Sequence, residues 1–173
     1  MFDDDEEIID VNGTVGVSKG QYAGYTIISS LSFVTNKMIH GPFGEATDAP
    51  FSVPCEKGNF GGFYGLAGYY IDSIGVYMRA NSEEITRVGI WGTKSPGGPQ
   101  NQWSFQLERN PHLKRITIDH GDLIYSLMFT TEYRGLEQTT DKAGGWNGGD
   151  IVTEVNTLTN KSIPKFVCPV LEF

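Results

Sequence analysis

Gly68-Tyr69-Tyr70-Ile71-Asp72-Ser73-Ile74-Gly75-Val76, residues 68–76, stacks on two other segments of the chain. These are Tyr25-Thr26-Ile27-Ile28-Ser29-Ser30-Leu31-Ser32-Phe33 and Gly121-Asp122-Leu123-Ile124-Tyr125-Ser126-Leu127-Met128-Phe129. Each carries Ile at its fourth place, Ser at its sixth and Leu or Ile at its seventh. A unit that recurs every 45–50 residues or so points to similar sheets packed together rather than to one sandwich. A prism of three sheets fits that pattern.

Outward from these segments the period is two. Leu31 and Phe33 alternate with Ser30 and Ser32, Ile116 and Ile118 with Arg115, Thr117 and Asp119, and Leu123, Tyr125, Leu127 and Phe129 line one face of a longer run. Successive strand side chains point to opposite faces, so this alternation predicts half-buried strands, and no window sustains apolar residues at helical spacing. Strands are expected near Glu7–Val11, Tyr25–Thr35, Phe51–Pro54, Phe60–Tyr64, Tyr69–Met78, Trp103–Leu107, Leu113–Asp119, Leu123–Tyr133 and Ile151–Val155. The 22 glycines and 8 prolines supply the turns between them. Arg79–Arg87, short and charged, reads as a linker. Residues 156–173 hold Pro164 and Pro169 in an apolar run, which allows an edge strand, a packed tail or a poorly ordered end.

A chain of 173 residues with 39% hydrophobic residues can bury one core, and a single domain over 1–173 is expected. A net charge of −8 with only 13 Lys and Arg argues against nucleic acid and against an anionic membrane surface. No stretch is long and apolar enough to insert in a membrane, and Met1-Phe2-Asp3-Asp4-Asp5-Glu6-Glu7 is acidic where a secretory signal would be basic, so a cytoplasmic or nuclear location is expected. Cys55 and Cys168 read as buried free thiols. His40, His112 and His120 do not fall at metal-ligand spacing, and the acidic start lacks the alternating ligands of a calcium loop, so neither a metal nor a cofactor is expected. Asp119-His120-Gly121-Asp122 reads as a turn between strands, and no nucleophile stands with a base; the chain is not read as an enzyme.

Gly41-Pro42-Phe43-Gly44, Phe51-Ser52-Val53-Pro54 and the run Gly61-Gly62-Phe63-Tyr64-Gly65-Leu66-Ala67-Gly68 through Tyr77 resemble the jacalin-related lectins of the mannose-binding type. The resemblance implies an all-β fold, a β-prism of three four-stranded Greek-key sheets. It also implies a sugar site built from a Gly-x-x-x-Asp loop beside a Gly-Gly turn. On this chain the loop falls on Gly68, Tyr69, Tyr70 and Asp72, and the turn on Gly97-Gly98, with Gly98 against the sugar. In that site Gly68 would permit a turn closed to other residues and expose the amides of Tyr69 and Tyr70. The Asp72 carboxylate would accept from two neighbouring hydroxyls of one sugar ring.

The order of the parts departs from the family. Residues 88–155, with Gly89-Ile90-Trp91-Gly92 and the glycine-rich Gly144-Gly145-Trp146-Asn147-Gly148-Gly149, resemble its N-terminal half, and residues 3–78 its C-terminal half. Either the domain is circularly permuted through the 79–87 linker or the chain is a slice of a tandem array; one closed prism is the expectation adopted. Tyr125 and Ser29 hold the place of Asp72 in the other two segments and cannot supply an ionised acceptor, so one site per chain is expected. Gly98 is internal, and galactose-preferring members need a free glycine amine there, so glycans containing mannose or glucose are the expected partners. A homo-oligomer is left open. The resemblance suggests a role in plant defence; the competing reading is a prism that serves as a protein-interaction module without sugar.

Overall fold

The computed structural model describes residues 6–18, 23–56, 59–80, 84–93, 101–109, 111–145, 149–155 and 161–164. Every regular element among them is a strand, and all the pairings are antiparallel. Strands β1 (Ile8–Val17), β2 (Thr26–Thr35), β3 (Ile39–Gly44) and β4 (Pro50–Pro54) form a first sheet in the order β3-β2-β1-β4. Strands β5 (Phe60–Ala67), β6 (Ile71–Arg79), β7 (Ile85–Gly92) and β8 (Asn101–Gln106) form a second in the order β7-β6-β5-β8. The third contains β9 (His112–His120), β10 (Ile124–Tyr133), β11 (Leu136–Thr139), β12 (Ala143–Gly144), β13 (Ile151–Val155) and β14 (Lys161–Pro164). Its order is β11-β10-β9-β13-β14, and β12 also pairs with β10. This is the expected three-sheet prism, except that the third sheet has six strands where four were expected.

The second sheet is where the two halves of the chain meet. β5 and β6 come from the half ending near residue 78, β7 and β8 from the half that follows, and β6 pairs with β7 from Arg79↔Ile85 to Ser73↔Gly92. The expected linker is therefore shorter than 79–87: Arg79 closes β6 and Ile85, Thr86 and Arg87 open β7. Charge had marked this stretch as unstructured, yet it forms an edge strand, where polar residues are favoured because one side faces water. Arg87 lies over the rings of Tyr64 and Tyr77, 5.2 and 5.6 Å from their centroids, so a charged residue contributes to packing here.

The repeated residues face inward. Ile28, Ile71 and Ile124 at the fourth place, Leu31, Ile74 and Leu127 at the seventh, and Phe33, Val76 and Phe129 at the ninth are all buried in one core. Phe63 of β5 joins the sheets, its ring 5.8 Å from Phe33 of the first and 5.3 Å from Phe129 of the third. Truncating so central a ring typically costs about 3–5 kcal/mol.

Strands β3 and β11 escaped the sequence reading for a common reason. Both are edge strands; β3 contains Gly41, Pro42 and Gly44, and β11 is exposed along its whole length, so neither shows alternation. β14 is also an edge, consistent with the edge-strand option for the tail. Cys55 is a buried free thiol whose Sγ donates to the Val53 carbonyl, and burial pushes its pKa up to about 11. Cys168 lies outside the described residues.

His120, at the end of β9, is buried with Nε2 2.8 Å from Thr153 Oγ1 and its ring 5.5 Å from that of Phe43. Burial lowers its pKa below the usual 6.5, against smaller raising effects from Gly121 and Asp119. Unfolded chains then take up this proton at a higher pH than folded ones. Stability conferred by the neutral ring is complete above about pH 6.5 and falls as pH drops from there toward the folded pKa. Urea midpoints for the native chain and His120→Gln between pH 7.5 and 5.5 test this: the native midpoint is expected to fall more steeply, and equal slopes would refute it.

Candidate functional site

The three repeat segments bring three similar loops to one end of the prism. In two of them the bend closes in the same way, Gly68 N–H donating to the Tyr70 carbonyl at 3.0 Å and Gly121 N–H to the Leu123 carbonyl at 3.2 Å. Third-place residues Ile27, Tyr70 and Leu123 then pack together, with Tyr25 and Tyr125 against them, as a small cluster separate from the main core. The rings of Tyr70 and Tyr125 lie 5.2 Å apart. Their phenol pKa values are raised, by burial in both cases and for Tyr125 also by Tyr70 and the carboxylates of Asp122, Asp150 and Asp119, so both hydroxyls remain neutral.

Tyr69 and Tyr70 are thus unlike. Tyr69 is 46% exposed, while Tyr70 is 8% exposed and fills the end of the prism. Neither lies within a strand, since the chain bends through 68–70 before β6 begins at Ile71. Gly68 is not one of the described glycines with positive φ, so its bend depends on the Gly68–Tyr70 hydrogen bond rather than on a left-handed backbone. That corrects the conformational role expected of it.

The left-handed glycines stand on the facing strands, and sequence reading missed their common purpose. Gly44, Gly92 and Gly144 have φ of 81°, 86° and 103°. A Cβ on each would lie 2.1, 2.1 and 2.2 Å from the carbonyl oxygens of Ser29, Asp72 and Tyr125, the three fifth-place residues. Only a residue without a side chain can lie that close to another backbone. Gly41 and Gly89, three residues before Gly44 and Gly92, also have positive φ, at 111° and 63°. Gly41-Pro42-Phe43-Gly44 and Gly89-Ile90-Trp91-Gly92 are therefore the same device in two sheets, a signal already present in the sequence.

The fifth place distinguishes the sheets chemically. In the first, Ser29 is locked away: Thr14 Oγ1 lies 2.7 Å from both Ser29 Oγ and Ser30 Oγ and accepts from Thr47 N–H at 3.1 Å. In the third, the place holds Tyr125, packed on Tyr70. In the second it holds Asp72, a carboxylate 2% exposed beside the backbone of Gly92 and flanked by Ser73, whose Oγ accepts from Leu66 N–H at 3.1 Å. Beyond Gly92, Thr93 Oγ1 donates to the Thr26 carbonyl at 3.3 Å, which ties the start of the next loop to the first sheet. Gly145, after β12, packs on the Tyr69 carbonyl from the other side. The structure thus gathers Gly68, Tyr69, Tyr70 and Asp72 with Gly92; Gly97 and Gly98 lie outside the described residues. Among those residues no group of His, Cys, Asp and Glu is arranged to hold a metal ion.

Three antiparallel sheets around one core, with one of three equivalent loops bearing a buried aspartate, define an all-β protein of the β-prism class. The Jacalin-like lectin domain family model matches residues 1–77. Over 155 residues, 89% of the chain, the sequence is 37% identical to the mannose/glucose-specific lectin of Parkia pendula, and the match to that of Parkia platycephala has the same identity and extent. It is also 44% identical over 73 residues to the agglutinin alpha chain of Maclura pomifera, a stretch covering 42% of this chain and 52% of that one. The chain thus resembles the jacalin-like lectins, over residues 1–77 through the family model and over most of its length through the Parkia relatives. It spans 32% of the length of the two Parkia lectins it matches.

Gly92→Ala would place a methyl group on the Asp72 carbonyl and strain a positive φ, whereas Gly24, at φ 95°, has open space at the same point. Backbone strain alone costs of the order of 1–3 kcal/mol. In denaturant unfolding both alanine variants should lose about that much, with a further loss for Gly92→Ala from the clash; equal losses would mean that the Gly92 approach is not tight.

Proposed function

We propose that the chain is a carbohydrate-binding lectin for mannose or glucose, closed as one prism over residues 1–173 with one site per chain. Gly68, Tyr69, Tyr70 and Asp72 form one side of the site and the Gly97-Gly98 turn the other, with Gly98 nearest the sugar. The observation that carries this reading is the single carboxylate among the three fifth places, since Ser29 is tied up in a hydroxyl cluster and Tyr125 cannot ionise to an acceptor at neutral pH. An ionised carboxylate accepting from two adjacent hydroxyls makes charge-assisted hydrogen bonds, roughly twice as strong as neutral ones. Backbone amides of Tyr69 and Tyr70 would complete the fan, while the Tyr70 ring stabilises the loop from within. The names of the two Parkia relatives support mannose or glucose over galactose.

The pairing of β6 with β7 supports closure within one chain. One observation favours the alternative, that the halves belong to successive prisms of an array: the Parkia match covers both halves in this same order within a protein about three times as long as the matched stretch. Under either arrangement the Gly68–Asp72 loop and its chemistry are the same.

Calorimetric titration tests the proposal. Methyl α-mannoside is expected to bind with a Kd of about 0.1–1 mM, and the galactoside more weakly. Asp72→Asn should lower mannoside affinity at least tenfold or so while leaving the unfolding midpoint near that of the native chain. Unchanged affinity in the variant, or a preference for galactose, would refute the site and the specificity respectively.

A further inference from the structure

A second concavity adjoins the candidate sugar loop on the flank of the prism. It is a cleft of 430 Å³ along the seam where the edge strand β8 of the second sheet faces β12 and the segment leading to it in the third. Its volume lies within the range of about 300–1,000 Å³ usual for ligand clefts. Gly68, the first residue of the candidate loop, forms part of its upper end, where Ala67 pairs with Asn101.

Aromatic rings back the cleft, Phe105 and Phe129 as part of the buried core and Trp103 half-buried at its surface. Phe105 and Phe129 stack with centroids 4.5 Å apart, and half-buried Trp103 stacks on Phe129 at 6.2 Å. The rim is polar and mostly uncharged: the amides of Asn101 and Gln102, the hydroxyls of Ser104 and Thr140, and the carboxylate of Asp141. Lys142, the basic residue of the rim, has its Nζ 3.5 Å from Asp119. Both walls are already formed. On one side β8 pairs with β5 along its length; on the other, Thr140 N–H donates to the Phe129 carbonyl at 2.9 Å, and Phe129 N–H to Thr140 Oγ1 at 3.1 Å. Groups that both donate and accept, beside the half-buried Trp103 ring, match a neutral polyhydroxylated ligand, whose hydroxyls do both and whose C–H faces are apolar.

We propose that this cleft receives the further sugar residues of an oligosaccharide whose terminal hexose sits at Gly68–Asp72. The inference rests on the sugar reading of that loop and extends it: the preferred ligand is a short oligosaccharide chain rather than a single hexose. The route between the two positions passes over Gly68, which belongs to both. Gln102 and Asp141, both exposed and on opposite walls, are the residues we assign to the added sugars.

Titration of the full chain with methyl α-mannoside and with linear mannotriose tests the proposal. The native chain should bind mannotriose at least about fivefold more tightly, as one net hydrogen bond beyond the first residue would give. Gln102→Ala and Asp141→Ala should each reduce that advantage to about twofold or less, with methyl α-mannoside affinity and unfolding midpoint unchanged. Equal affinities of the native chain for the two sugars, or an advantage that survives in both variants, would overturn the cleft assignment and leave the Gly68–Asp72 site standing. If neither sugar binds the native chain, the loop reading fails, and the cleft proposal with it.

Discussion

Packing of three central strands around one axis is the constraint on which the rest of the molecule depends. β2, β6 and β10 approach one another pairwise, and their fourth- and seventh-place residues are buried there together. An axis shared by three sheets leaves little room for change at the fourth and seventh places, because interiors are close-packed and a change of a single methylene is felt. That accounts for Ile at all three fourth places and Leu or Ile at all three seventh. The sixth-place serines, Ser30, Ser73 and Ser126, are buried as well, each a small residue beside a neighbouring strand.

Once the axis is set, the ends of the sheets are set too. Each central strand starts just after a bend at the same end of the prism, and each fifth-place carbonyl is covered by a left-handed glycine from the adjacent strand. Three structurally equivalent positions result, and chemistry differs among them through one side chain: a hydroxyl tied into the Thr14 cluster, a carboxylate, and a phenol stacked on its neighbour. The fold supplies three places of one geometry, and the side chain at the fifth place decides which of them can hold an anionic acceptor.

What could be read from the sequence follows from this division. Residues on the axis repeat because packing forces them to, so the three segments, the all-β class and Asp72 as the exceptional fifth-place residue were legible. Some edge strands were not: β3 carries Gly and Pro, β11 is exposed along its length, and no alternation marks either, whereas the edges β4 and β8 were legible as Phe51–Pro54 and Trp103–Leu107. The different fates of the two tyrosines were also hidden, because nothing local separates Tyr69 from Tyr70; only the meeting of Ile27, Tyr70 and Leu123 from distant segments buries one and leaves the other at the surface. The glycine set was visible as Gly41-Pro42-Phe43-Gly44 and Gly89-Ile90-Trp91-Gly92 but had no meaning until the facing carbonyls were placed. Gly68 illustrates the opposite case: a glycine expected to permit a turn closed to other residues, whose bend is closed by a hydrogen bond without a left-handed φ.

The central claim is that both halves of one chain complete the second sheet and so present Asp72 as the sugar acceptor. A crystal structure of the chain with methyl α-mannoside bound tests it most directly. The account predicts β5 through β8 from a single molecule in one sheet, with two adjacent sugar hydroxyls on the Asp72 carboxylate and the Tyr69 and Tyr70 amides directed at the same ring. A sugar bound elsewhere with the Asp72 loop empty, or β7 and β8 supplied by a second copy, would contradict it.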